Sequence, residues 1–157
     1  MKLTSKQDIE APMAFVFQQL TDFESWERAA MRRGADVSRT DKLRATGPGM
    51  TWLARFRYKS RDRRMDLRLD RLDAPGHLVF TALSRLVDGE MVVDLIELGQ
   101  KRTRVHVSLD LKPKTLTAKL YVQSLRLARS RVEKGFGQRI AQMTTEIEER
   151  FLRPLRR

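Results

Sequence analysis

The chain contains no cysteine, which removes disulfides, thiolate nucleophiles and cysteine-based metal sites together and fits a reducing compartment. Histidine is nearly as scarce. His77 and His106 are the two present. His106 and Asp110 share one strand face but offer two donors where a metal centre needs more, so no metal and no cofactor is expected. No apolar run approaches the roughly 18 residues of a membrane span. The opening MKLTSKQDIEAP has no signal-peptide core and reads as a strand, so the expected location is cytoplasmic. GxSxG, HExxH, P-loop and GxGxxG patterns are all missing, and with them the commonest hydrolytic and nucleotide-binding chemistries.

What is abundant is positive charge. The net charge is +12, and it is unevenly placed: residues 101–157 hold 15 Lys/Arg against 5 Asp/Glu, leaving the first hundred nearly balanced. Such a tail suits an anionic partner, or is a solvated basic helix face. Nucleic acid is disfavoured. In Arg55-Phe56-Arg57-Tyr58-Lys59 the alternation sends cations and aromatics to opposite faces, whereas base stacking needs them side by side.

The 157 residues suit one domain with a real core. Val132, Phe136, Ile140, Met143, Ile147 and Phe151 recur at steps of three and four, which predicts one long amphipathic helix over about 114–151. Its apolar stripe requires a sheet. Residues 2–10 give a first strand. Ala11-Pro12 opens a short helix, and Asp22 caps a second that ends at Gly34. A modest edge strand over 35–43 and the Gly47-Pro48-Gly49 turn precede Met50–Lys59, where Trp52, Ala54, Phe56 and Tyr58 share one face. A hairpin centred on Arg61-Asp62 would pair Tyr58 with Met65 and Phe56 with Leu67. Strands over 77–83, 91–98 and 103–111 complete an antiparallel meander, with turns at Pro75-Gly76, Asp88-Gly89 and Gly99–Lys101.

One strand, two short helices, about six more strands and a long terminal helix resemble the helix-grip fold of the START-related SRPBCC superfamily, which includes polyketide cyclase-like proteins. The likeness rests on element order, on the stretch IEAPMAFVFQQLTDFESWER, and on the Gly-Pro-Gly turn before an aromatic strand. It implies a single α+β domain over residues 1–157, with a curved antiparallel sheet of six or seven strands gripping the helix. It also implies a cavity between sheet and helix, where many relatives hold an apolar or amphipathic molecule and some catalyse cyclisation or dehydration.

On that frame, Trp52, Phe56, Tyr58, Leu67, Phe80 and Val107 would wall the cavity or fill an ordinary core. Stepping 100° per residue places Arg129 in the stripe of Leu125, Val132 and Phe136, where its head needs a partner. Asp94 would face it if Leu98 lies opposite Thr103. The pair would then be structural or would anchor a ligand, and Asp94 pointing to solvent is the alternative. Gly135 and Gly137 would mark close packing or a kink, or are simply tolerated on the helix surface. Leu116, Leu120 and Leu127 form a second stripe amid Lys119, Arg131 and Lys134, suited to clamping strands, to a homodimer or to peripheral contact with an anionic membrane. The expected function is binding of a hydrophobic or amphipathic small molecule without covalent catalysis. A cyclase-like enzyme in the same cavity and an interaction module using the basic helix are the alternatives.

Overall fold

The computed structural model describes residues 1–153. Its elements run β1 (Lys2–Ile9), α1 (Met13–Leu20), α2 (Phe23–Arg32), β2 (Asp36–Arg39), β3 (Thr51–Tyr58), β4 (Arg61–Asp73), β5 (His77–Ser84), β6 (Val87–Gly99), β7 (Arg102–Pro113), α3 (Leu116–Leu127) and α4 (Arg129–Leu152). The strands form one antiparallel sheet ordered β1-β7-β6-β5-β4-β3-β2. This is the helix-grip α+β architecture, with two short helices after the first strand and the C-terminal helices on the concave side.

Local chemistry explains the boundaries. Pro12 sits at the N-cap of α1, where its missing N–H costs nothing. The Asp22 carboxylate accepts from the Ser25 backbone N–H to start α2, and Gly34, at φ 95°, takes the left-handed position just beyond its end. The Thr115 hydroxyl oxygen caps α3 by accepting from the Ala118 N–H at 3.1 Å.

The core lies between the sheet, α1, α2 and α4. Ile9, Val16, Leu69, Val105 and Ile147 are essentially inaccessible, and Phe136, Ile140, Met143 and Phe151 pack against them. Fully burying such a side chain contributes roughly 1.5–3 kcal/mol, so Ile147 together with its half-buried stripe neighbours holds α4 against β1. Val132 is half-buried at the start of the same stripe.

Four expectations are corrected. The long helix is broken: Ala128, at φ −105° and ψ 32°, leaves helical geometry and separates α3 from α4. Gly135 and Gly137, expected to mark a kink or close packing, lie within unbroken α4. A Cβ at Gly135 would meet nothing within 4 Å, and one at Gly137 only the Ser5 hydroxyl oxygen at 3.9 Å.

The β3–β4 hairpin turns at Lys59-Ser60, not Arg61-Asp62, so Tyr58 pairs with Arg61 and Phe56 with Arg63. Both turn residues have positive φ, 52° and 62°, the backbone of a tight two-residue turn that usually recruits Asn or Gly. Finally, the β5–β6 connection is Arg85-Leu86, while Asp88 and Gly89 lie inside β6.

Candidate functional site

The sheet and its helices are packed at one end and hollow at the other. Trp52 belongs to the packed end. It is buried against Phe23, with ring centroids 5.3 Å apart, and its indole N–H donates to Glu27 Oε1 at 2.7 Å. Phe80 meets Phe23 edge-on, Leu67 packs on the same cluster, and Val107 is fully buried within it. Trp52 and Val107 therefore sit in filled core, and the half-buried Leu67 and Phe80 pack against it, all four outside the wall of the cavity described next.

Towards the β3–β4 turn the inner face opens into a cavity of about 1200 Å³, bounded by that hairpin, the β5–β6 connection and α3. Phe56 and Tyr58, on β3, line it as expected. Met65 from β4, Leu86 and Val87 beside the β5–β6 connection, and Ala118 and Tyr121 on α3 complete its apolar wall. Above the cavity, α3 is anchored at its N-terminus: the Lys114 N–H donates to the Leu86 carbonyl at 2.8 Å, and its ammonium donates to the Ser84 carbonyl at 3.0 Å. A second tie runs from the hairpin. The Tyr58 and Tyr121 hydroxyls are 3.0 Å apart, and the Lys59 ammonium stands 4.2 Å from the Tyr121 ring centroid.

That tie polarises the two phenols. The hydrogen bond to Tyr121, with burial adding, raises Tyr58 above the ordinary phenol range. The same bond, with Lys59 helping and burial opposing, lowers Tyr121. Tyr121 is thus the group that ionises first, with the Tyr58 O–H donating to its oxygen.

The cavity wall is also cationic. Lys59, Arg61, Arg63, Arg64, Arg85 and Lys114 line it against two carboxylates, Asp62 and Asp66. Arg63 is half-buried, and its Nε is buried with no hydrogen-bond partner among the described residues.

Asp94 and Arg129 do not meet. The β6–β7 ladder sets Glu97 opposite Thr103 and carries an irregularity between Glu97 and Gly99, so the β6 residues from Val87 to Glu97 are one step from the expected register. One step reverses faces. Buried Val93 lies across from Val107, and Asp94 points outward between His77 and His106 of the neighbouring strands. Its carboxylate bonds His77 Nδ1 at 2.5 Å. Arg129 is exposed and pairs with Glu133 Oε1 at 2.7 Å, because the break at Ala128 resets the helical phase that had placed it inside. Leu125 is half-buried on α3 outside the cavity wall. No cluster of three or more potential metal-ligating side chains occurs among the described residues, and no helix there is long and apolar enough to cross a membrane.

Sequence reasoning missed Arg61, Arg63, Met65 and Tyr121. A signal existed for three of them: Met65, Leu67 and Leu69 alternate inward, and the same parity carried back puts Arg63 and Arg61 on that face. Centring the turn on Arg61 concealed it.

No protein-family model and no curated protein matches the chain. Solved structures do. An aromatase/cyclase, Zhui from Streptomyces sp. R1128, superposes with a TM-score of 0.67 at 14% identity, covering 96% of this chain and 94% of its own. Norcoclaurine synthase from Thalictrum flavum gives 0.67 at 8% identity, covering 97% and 86%. A START superfamily protein from Mycobacterium smegmatis gives 0.59 at 13% identity, covering 88% and 98%. At these identities the likeness is one of fold, and the fold is the helix grip shared by SRPBCC proteins.

Proposed function

We propose that the chain binds a hydrophobic or amphipathic small molecule between the sheet and α3. The observation that carries this reading is the cavity of about 1200 Å³ with Phe56, Met65, Leu86, Val87 and Tyr121 in its wall. A hollow lined by apolar side chains with a few polar groups gains its affinity from burying ligand surface, at about 25 cal/mol per Å². The Tyr58–Tyr121 tie is the polar feature that would orient the occupant and hold α3 over it. Structural neighbours with this fold include an aromatase/cyclase and a norcoclaurine synthase, both acting on small organic molecules by their names. Native mass spectrometry of protein purified from its source tests the idea. A small-molecule adduct lost on denaturation is the expected result. No adduct, together with no binding of the neutral apolar dye N-phenyl-1-naphthylamine, would overturn it.

A second reading concerns the outer side of α3. Leu116, Leu120 and Leu127 are 75%, 59% and 89% exposed on one stripe, opposite buried Ala118 and Val122, so they do not clamp strands. No carboxylate occurs between Asp110 and Glu133, while Lys112, Lys114, Lys119, Arg126, Arg129 and Arg131 do. Exposed leucines within an acid-free cationic segment match an anionic lipid surface, where apolar insertion and charge attraction add. Co-sedimentation with phosphatidylcholine vesicles, with and without phosphatidylglycerol, tests it. Binding is expected only with the anionic lipid, and is lost in Leu127→Asp. A concentration-dependent dimer that Leu127→Asp dissolves, with no vesicle binding, would replace the membrane by a second copy of the chain.

A further inference from the structure

Strand β4 treats its arginines in two ways. Arg64, Arg68 and Arg71 each pair with the aspartate two residues on, at 3.7, 2.5 and 2.9 Å to Asp66, Asp70 and Asp73. A carboxylate at that spacing stands on the same strand face, so these charges are balanced locally. Arg61 and Arg63 have no such carboxylate. Residues 63 and 65 are an arginine and a methionine, and the cross-strand partners of Arg61 and Arg63 are Tyr58 and Phe56. Neither arginine forms an ion pair among the described residues. Of the other cavity cations, Arg64 is taken by Asp66 and Lys114 by Asp88 at 3.4 Å.

The half-buried head of Arg63 therefore stands beside an apolar hollow with an unsatisfied N–H and no counter-ion. Leaving a buried charged donor unpaired is costly, and a planar guanidinium is satisfied best by a group with two anionic oxygens. We infer that the cavity selects an amphipathic carboxylate, its chain or ring system against Phe56, Met65 and Tyr121 and its carboxylate on Arg63. This inference rests on the cavity reading and names the class of molecule that the cavity takes. Arg61 and Lys59, at the hairpin end, supply positive potential at the entrance and favour arrival of an anion. Asp62 and Asp66, the carboxylates near the cavity, belong to the strand parity opposite Arg63, and so leave its head to the ligand.

The test compares dodecanoate with dodecanol, which share a chain and differ in the head, as displacers of N-phenyl-1-naphthylamine at pH 8. Dodecanoate is expected to bind about tenfold or more tightly than the alcohol, the scale of one hydrogen bond to a charged group. In Arg63→Met the preference disappears while dye and dodecanol still bind. In Arg63→Lys, which keeps the charge and loses the fork, an intermediate preference remains. If dye and dodecanol bind but dodecanoate holds no advantage in the native protein, or keeps its advantage in Arg63→Met, the head-group assignment is wrong and the cavity reading stands. If neither dye nor either chain binds, both are wrong. The native-protein comparison decides even where a variant fails to fold.

Discussion

The hydroxyl of Tyr58, at the tip of the β3–β4 hairpin, lies 3.0 Å from the hydroxyl of Tyr121 on α3, sixty-three residues away in sequence. They are the only tyrosines in the chain, so their titration can be followed directly. Absorbance at 295 nm should show two separated phenol steps, the first from Tyr121, which its partner and Lys59 lower, and the second from Tyr58, which is raised. In Tyr58→Phe one step remains, and it should lie above the native first step, because Phe cannot donate to the Tyr121 oxygen. An unshifted step would mean that the tie is not made in solution.

Asp41 tests the edge of the sheet. Its carboxylate accepts from Arg39 Nε and Nη2 at 2.7 and 2.6 Å, and from the Thr51 and Leu43 N–H groups at 2.9 Å each. The Arg39 bonds, then the Thr51 N–H, hold it well below the usual carboxylate range. A carboxylate lowered by folding adds stability that is complete above its unfolded value, about 3.9, and is lost as pH falls through the folded value. Asp41→Asn should therefore lower the urea midpoint more at pH 7 than at pH 2.5. An equal loss at both pH values would assign the effect to packing instead.

Arg129→Met measures what the helix break did. An exposed i,i+4 pair with Glu133 is worth about 0.3–0.5 kcal/mol, so the variant should lose no more than that in a urea titration. Binding of N-phenyl-1-naphthylamine should be unaffected, since Arg129 lies outside the cavity wall. A loss of several kcal/mol would restore a buried partner for this arginine.

These outcomes trace what periodicity can and cannot reveal. Alternation over residues 50–58 assigned Trp52, Ala54 and Phe56 to the inner face correctly, although the β3–β4 pairing slides by four positions, because an even slip preserves faces. The β6–β7 pairing slips by one, and that odd step, taken up where the ladder is irregular, turned Asp94 outward. Met91–Ile96 is apolar at both parities save for Asp94, so no pattern in it could fix the register. The Lys59-Ser60 turn carries no glycine to announce its positive φ values. Likewise Ala128 is a strong helix former, and neither proline nor glycine marks the break there. The cavity position depended on both of these silent features. The fold, which depends on element order and on the α4 stripe, did not.

Thr103 joins the last strand to the first connection, and its replacement is the most direct probe of the packed end. It is wholly buried, and its hydroxyl donates to the Ala11 carbonyl at 2.8 Å, just ahead of α1. Thr103→Val keeps the shape of the side chain and removes the donor, leaving a buried carbonyl without that partner. The cost of such an unsatisfied group is about 1–3 kcal/mol. The variant should show that loss in urea at an unchanged slope, with the dye still binding, because the cavity lies at the other end of the sheet. Should dye binding fall together with stability, the packed and hollow ends would be one cooperative unit, and α3 would owe its position to the core as well as to its own ties at Lys114 and Tyr121.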